Sequence, residues 1–462
     1  MSTYHSKRAK EFLKNPEGKI SRHDQTFWSC RQKRDAAAAL LPEWEELRDQ
    51  ASRIKAHTIT HLADYLEQFV TNLEKNGVIV HFAKDAQEFN EIAYGILETH
   101  KARKLVKSKS MLTEECGLNP YLMKRGIDVV ESDLGERILQ LMHLKPAHIV
   151  MPAIHLTRDE VGEMFEAKGI SKDIGNHDPT YLTYCARQSL RKDFMDADAG
   201  MTGCNFGVAA TGDCVVCTNE GNADMSTSVP KLHIVAMGLE KVVPDYASLA
   251  VFHRLLSRSG TGQPATSFTS HFRKPRPGAE MHVILVDNGR SDMIADAEHW
   301  ETLKCIRCGA CMNTCPVYRR SGGYSYSYFI PGPIGVNLGM LKDPRAHSGN
   351  VSACSLCLSC DCVCPAKVAP GSQIYRWRQR LENYGTENKE KKVMAEGMKA
   401  VYENYHVYDA LLRNSSVANH IPAVWADIKL NPWSIGHTMP HFASKPFHAI
   451  FKQAMEELKN GK

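Results

Sequence analysis

"CIRCGACMNTCPVY", residues 305–318, spaces four cysteines as C-x2-C-x2-C-x3-C and follows the last with proline; the same spacing returns in "CSLCLSCDCVCPAK", residues 354–367. Two-residue gaps let a turning backbone send three sulfurs to one side, as the iron corners of a cubane cluster require. The neighbours Gly309, Ala310, Ser359 and Val363 are small or β-branched and leave room for it. In two-cluster proteins the fourth cysteine, ahead of its proline, turns away and ligates the other cluster. The expected sets are Cys305, Cys308, Cys311 and Cys364 for one [4Fe–4S] cluster, and Cys354, Cys357, Cys360 and Cys315 for the second. Crossed ligation ties the two segments together, so cluster binding and folding should be coupled.

Other uses of these thiols fit less well. Nine of the fifteen cysteines lie between Cys305 and Cys364. The stretch "MSTYHSKRAKEFLKNPEGKI" is polar and lacks the apolar centre of an export signal, which argues against disulfides. Structural zinc uses paired C-x2-C units rather than three cysteines in seven residues. Cys362 is surplus and reads as a packed small side chain, with a spare ligand for a damaged cluster as the sharper alternative. Cys30, Cys116, Cys185, Cys204, Cys214 and Cys217 are scattered; Cys214-x2-Cys217 falls on a predicted strand whose alternation sends the two thiols to opposite faces, a structural pair.

Outward from the motifs, the 462-residue chain is 43% hydrophobic and 24% charged, with a net charge of +5. That balance suits docking on an acidic partner and gives no support to nucleic-acid binding. No run of about 18 apolar residues exists, so no membrane span is expected. A cytoplasmic location is expected, with any membrane contact made through partners.

Four segments are expected. Residues 1–60 form an N-terminal arm, basic and irregular with some helix over 1–42, that leads into a helix running over 41–77. Residues 61–291 alternate strand-like runs ("VIVHFA", "KLV", "GIDVVES", "AHIVMPA", "KLHIVAMG", "MHVILVD") with helices near 84–100, 112–125, 133–142, 158–167, 179–196 and 245–258, the pattern of βαβ units around a mostly parallel sheet. Within them, "CNFGVAATGDCVVC" predicts a hairpin turning at Thr211–Asp213. Residues 292–380 form a helical two-cluster domain. Residues 381–462 are helical and end in a tail, "NPWSIGHTMPHFASKPFHAIFKQ", with the look of a docking arm.

Weaker signals lie in the α/β region. "KARKLVKSKS" (101–110) brings Lys107 and Lys109 to a strand–loop–helix junction of the kind that binds anions, although a solvated basic edge has the same composition. "TNEGN" (218–222) puts Asn219 and Glu220 in a glycine loop after a strand, as a site carboxylate or a plain polar turn. The 21 histidines show no HExxH or other ligand pair on one face. "GYSYSYF" (323–329) is expected to pack over the clusters. No flavin or nicotinamide fingerprint is present.

Taken together, "KSKSMLTEE", "GIDVVESDLGERILQL", "HIVMPAIHLTRDEVGEMF", "GMTGCNFGVAATG", "TNEGN", "LHIVAMGLEKVVP" and "CIRCGACMNTCPVYRRSGG" resemble the lactate utilization protein B family along almost the whole chain. The resemblance implies an N-terminal lactate-utilization (LUD) domain similar to sugar-isomerase and coenzyme A transferase folds, then a helical ferredoxin domain. The spacer of 38 residues, Pro316 to Ala353, suits that helical type. It also implies work beside sister subunits of a complex oxidising L-lactate to pyruvate, with electrons passing through the clusters to an acceptor not identified by the sequence. In the α/β domain, Lys107, Lys109, Thr202, Asn219 and Glu220 form the candidate cofactor-binding set. Catalytic residues are not legible. A redox-sensing or assembly protein, or a carrier for another 2-hydroxy acid such as glycolate, is the alternative.

Overall fold

The structure is a computed structural model that describes residues 2–14, 19–384, 389–420 and 440–460. The chain divides into two compact units, Met1–Thr386 and Glu387–Lys462.

Among the described residues of the first unit, ten strands form two sheets. Strands β1 (Ile79–Ala83), β2 (Lys104–Lys107), β3 (Asp128–Glu131), β4 (Ala199–Gly203), β7 (Leu232–Gly238) and β10 (Glu280–Val286) make one sheet in the order β1-β10-β7-β4-β2-β3. Every neighbouring pair in it is parallel. That is what unbroken apolar runs require: all of β4 and β7 is buried, and helices cover both faces. Strands β5 (Phe206–Val208), β6 (Asp213–Thr218), β8 (Val242–Val243) and β9 (Phe268–Phe272) form the second sheet, with the expected hairpin as the antiparallel pair β5–β6.

Locally, helix bounds and one strand differ from expectation. The helix over 41–77 is two helices, Trp44–Thr60 and Leu62–Lys75, parted at His61. "AHIVMPA" is no strand. Here the Nδ1 of buried His148 accepts from the successive amides of Val150 and Met151, which curls the backbone away from any ladder. The helix expected within the basic arm is extensive, Tyr4–Leu13 and Lys19–Ala39. Its arginines have carbonyl and hydroxyl partners far away in sequence, which composition could not reveal.

The cysteine-rich region is helical, as expected. Its central helix, Gly332–Lys342, is buried on nearly every side and packs with Tyr318, Val351 and Trp377 in one core. A separate core joins this region to the α/β domain, with Phe206, Val243 and Phe252 meeting Ile306, Cys308, Ala310 and Val363. The expected boundary near residue 291 is therefore a change of composition inside one packed body.

The second unit contains helices Lys389–Glu403, Tyr405–Asn414 and Phe447–Lys459. Residues 421–439, and with them part of the expected docking tail, lie outside the described residues. No helix among the described residues is long and apolar enough to cross a membrane.

Candidate cluster sites and the adjoining cavity

The two cysteine loops have the same backbone. Cys305 (φ −65°, ψ 122°) matches Cys354 (φ −63°, ψ 133°), and Cys315 (φ −70°, ψ 117°) matches Cys364 (φ −67°, ψ 118°). Between them two residues per loop turn left-handed at equivalent positions, Arg307 and Gly309 in the first, Leu356 and Leu358 in the second. This double turn aims amides inward: Arg307 N–H donates to Cys305 Sγ (3.4 Å) and Leu356 N–H to Cys354 Sγ (3.4 Å). Val368 N–H reaches Cys364 Sγ at 3.3 Å. Amides pointed at sulfur favour the thiolate.

Cys305, Cys308, Cys311 and Cys364 line one small cavity whose remaining wall is Ile149, Ile306, Ile334, Val368 and other apolar or small residues. Burial pushes the Cys308 thiol up, and Cys364 and Cys305 push it further; Cys311 is raised in the same way by burial, then by Cys305, Cys308 and Cys364. Cys315 is raised to about 11 by burial, with Cys354 and Cys357 as its thiol neighbours. Cys360, raised by burial and Asp361, feels both Cys311 and Cys315, so the two groups of sulfurs lie side by side. Thiols crowded into an apolar pocket resist ionising together. An iron–sulfur core is a group that reverses this, since coordination by a metal ion deprotonates a thiol outright. The donor set, the dry pocket and the inward amides all suit that group.

Arginines surround the loops without contacting sulfur. Arg48 donates twice to Cys364 O (2.9 and 3.0 Å), Arg34 to Val363 O (3.3 Å), and Arg378 to the carbonyls of Val351 (3.3 Å) and Cys354. Tyr318 and Tyr326, fully buried beside Cys315, close the second site; Tyr326 belongs to the aromatic stretch expected there.

A larger cavity of about 490 Å³ opens where β2, β4 and β7 end, the usual ligand position for an open parallel sheet. Its walls come from both domains. Lys109, Gly203, Asn219, Glu220 and Lys241 belong to the α/β side, and Arg307, Cys308 and Ile330 to the cysteine-rich side. The domains touch closely beside it: a Cβ on Gly260 would lie 2.7 Å from Cys308 O, and Asn313 Nδ2 donates to Gly260 O (2.8 Å).

Of the five α/β candidates, Lys109, Asn219 and Glu220 line this cavity. Lys109 Nζ donates to Val150 O (2.8 Å), and a Glu220 oxygen accepts from Leu134 N–H (3.3 Å). Burial, then the charge of Asp133, pushes the Glu220 carboxyl up to about 7. Lys107 and Thr202 do not line it. Lys107 is buried in a polar knot with Glu131 (2.7 Å), Glu114 (3.7 Å) and Thr113 (3.0 Å), and Thr202 is bonded to His233 (2.9 Å). Position along the strands explains the split: Lys107 and Thr202 lie within β2 and β4, whereas Lys109, Asn219 and Glu220 lie in the loops beyond the ends of β2 and β6, where the cavity opens.

Sequence reading missed the cavity's cationic end. Arg290 bridges Glu240 (2.5 Å) and Glu115 (3.0 Å), while Arg307 lies 3.9 Å from Glu240 and keeps Nη1 buried without a partner. Arg307 sits between two cysteines of the motif, where ligand spacing draws attention to the sulfurs alone.

These features define a class: a LUD-type α/β domain fused to a ferredoxin-type dicluster domain. Family models agree, with the LUD domain matching residues 66–294 and a 4Fe-4S dicluster domain matching 301–368, so the chain carries the cysteine frame of two [4Fe–4S] clusters. The "Uncharacterized electron transport protein YkgF" of Escherichia coli (strain K12) is 38% identical over 443 residues, 91% of each chain. "Lactate utilization protein B 1" of Bacillus mycoides (strain KBAB4) is 36% identical over 441 residues, 93% of this chain and 92% of that protein. "Lactate utilization protein B" of Shouchella clausii (strain KSM-K16) is 44% identical over 337 residues, 71% and 70% of the two chains. The chain belongs to the lactate utilization protein B family.

Proposed function

We propose that the chain is the iron–sulfur electron-transfer subunit of a multi-subunit system that oxidises L-lactate to pyruvate. Cys305, Cys308, Cys311 and Cys364 hold the inner cluster, and Cys354, Cys357, Cys360 and Cys315 the outer one. The observation that carries this reading is the position of Arg307 and Cys308 in the wall of the large cavity. An organic anion in that cavity lies against an inner ligand, while Cys357 of the outer loop is exposed to the surface. The route runs from cavity to inner loop to outer loop to an external acceptor.

Conversion of lactate to pyruvate releases two electrons and two protons; iron–sulfur clusters accept electrons one at a time. The chain's own residues supply the rest. Arg307, Lys241 and Lys109 offer positive charge to a carboxylate, and Glu220, with its pKa near 7, can take up a proton at neutral pH. In the second unit the exposed side chains Val393, Met394, Phe447 and Phe451 offer apolar surface to sister subunits.

The test is an anaerobic complex reconstituted with its sister subunits and followed by absorbance and EPR. Lactate is expected to reduce the clusters only when the sister subunits are present. Clusters that stay oxidised under lactate overturn the proposal, and reduction by glycolate instead reassigns the substrate. Partner binding that tracks cluster state without any turnover points to a sensor.

A further inference from the structure

At the amino end of the parallel sheet, opposite the cavity, three side chains converge that the sequence reading did not group. Glu280 and His282 are alternate residues of β10 and share a face. His100 follows helix Ala86–Thr99 and reaches over them. His100 Nε2 lies 3.2 Å from Glu280 Oε2, and His282 Nε2 lies 3.6 Å from the same oxygen. All three donor atoms fall within 4.8 Å of one another. Donors bound tetrahedrally at zinc distances are separated by about 3.3–3.5 Å.

We propose that His100, Glu280 and His282 bind a divalent cation of the zinc class. Proton positions on the rings favour it. His100 Nδ1 donates to Ile96 O (2.8 Å); a carbonyl only accepts, so the neutral ring turns the lone pair of Nε2 toward Glu280. His282 Nδ1 lies 3.0 Å from His81 Nε2, and on its other side Nε2 is buried with no hydrogen-bond partner. The His282 side chain is only 6% exposed, so solvent does not satisfy that nitrogen. With the His282 proton on Nδ1 and donated to His81 Nε2, two imidazole lone pairs and a carboxylate face one point, where a cation relieves them.

Outward Nδ1–H bonds of this kind are how metal-binding histidines are held, with His81 as the supporting partner. Two imidazoles and one carboxylate suit zinc better than magnesium or calcium, and three protein ligands leave one position open. The earlier reading that no histidines share a ligand face is corrected here. The pair Glu280-x-His282 was visible as strand alternation, but His100 lies 180 residues before Glu280 in sequence.

The experiment uses the full, cluster-loaded chain, kept anaerobic and washed with chelator, then titrated with Zn²⁺ against a chromophoric chelator. One zinc per chain above the iron content is expected, with nitrogen and oxygen neighbours at the zinc X-ray absorption edge. His100→Ala and Glu280→Gln, both at partly exposed positions, should each weaken binding at least tenfold while cluster absorbance stays unchanged. His81→Phe should weaken it about 10- to 100-fold. No zinc above background, sulfur neighbours at the edge, or unchanged affinity in both ligand variants overturns the site and leaves a shared proton as the occupant.

Discussion

The two cysteine loops share spacing, left-handed turns and inward amides, yet one is built into the molecule and the other onto its surface. Cys308 is 9% exposed and packs in a core with Phe206 and Phe252 of the α/β domain. Its counterpart Cys357 is exposed, as is Leu358 beside it. One backbone solution therefore serves two duties: the motif fixes how sulfur is presented, and the surrounding chain fixes what each cluster can meet. An inner loop bordering a cavity and an outer loop bordering solvent set the two apart.

The comparison breaks first at the ligands. Cys308→Ser is expected to remove about four irons per chain and also to lower the unfolding temperature of the α/β domain, since the inner loop is part of that core. Cys357→Ser should remove at most the outer cluster, with the α/β transition unmoved. Iron and sulfide analysis with EPR and calorimetry separates the two. Equal damage from both substitutions would show that the loops are not energetically distinct. Exposure to air should likewise bleach the outer signal before the inner one.

The arginine contacts sharpen the asymmetry. Arg48 is buried and donates both bonds to Cys364 O, with Glu45 (2.8 Å) as its ion-pair partner. Arg48→Met is expected to cost about 1.5–3 kcal/mol in denaturant unfolding, the range for bonds made by charged groups. Losing a cation should also lower the reduction potential of the inner cluster in a redox titration and leave the outer one nearly unchanged.

Backbone strain distinguishes the loops more finely. Gly309 sits at φ 80°, where a Cβ would lie 3.0 Å from the His148 ring. The equivalent Leu358 holds φ 57° with its side chain 43% exposed. Gly309→Ala should cost about 1–2 kcal/mol from conformation alone, plus the contact. Leu358→Gly should stay within about 1 kcal/mol of the parent, since relief of the left-handed penalty offsets the added freedom of the unfolded chain. Matching losses at the two positions would mean that the outer loop is as tightly enclosed as the inner.

Legibility followed the range of the interactions. The cysteine frame and the parallel strands were plain because spacing and unbroken apolar runs are local. What the arm and the helix after it hold was not legible, because Arg34 and Arg48 find their acceptors at Val363 and Cys364, hundreds of residues on. "AHIVMPA" had strand composition, but one buried ring, His148, took its amides instead. Lys107 and Lys109 looked alike in sequence, and only the end of β2 at Lys107 separates a buried ion pair from a cavity wall.

The smallest effect expected is a pH dependence tied to the inner side alone. Glu220 is held near pKa 7 by burial first and then by Asp133, with Leu134 N–H and Lys109 opposing. Because that folded value lies above the ordinary 4.5, its contribution to stability is complete at low pH and lost as pH rises through 7. The same ionisation adds a negative charge to a cavity proposed to receive a carboxylate. Lactate or pyruvate should therefore bind more weakly as pH rises from 6 to 8, by at most about tenfold per pH unit, the limit for one proton. Glu220→Gln should flatten that profile, and ligand-induced changes in EPR should appear in the inner signal only. An identical profile in the variant would remove Glu220 from the cavity's chemistry, and a response confined to the outer signal would reverse the direction assigned to the pair.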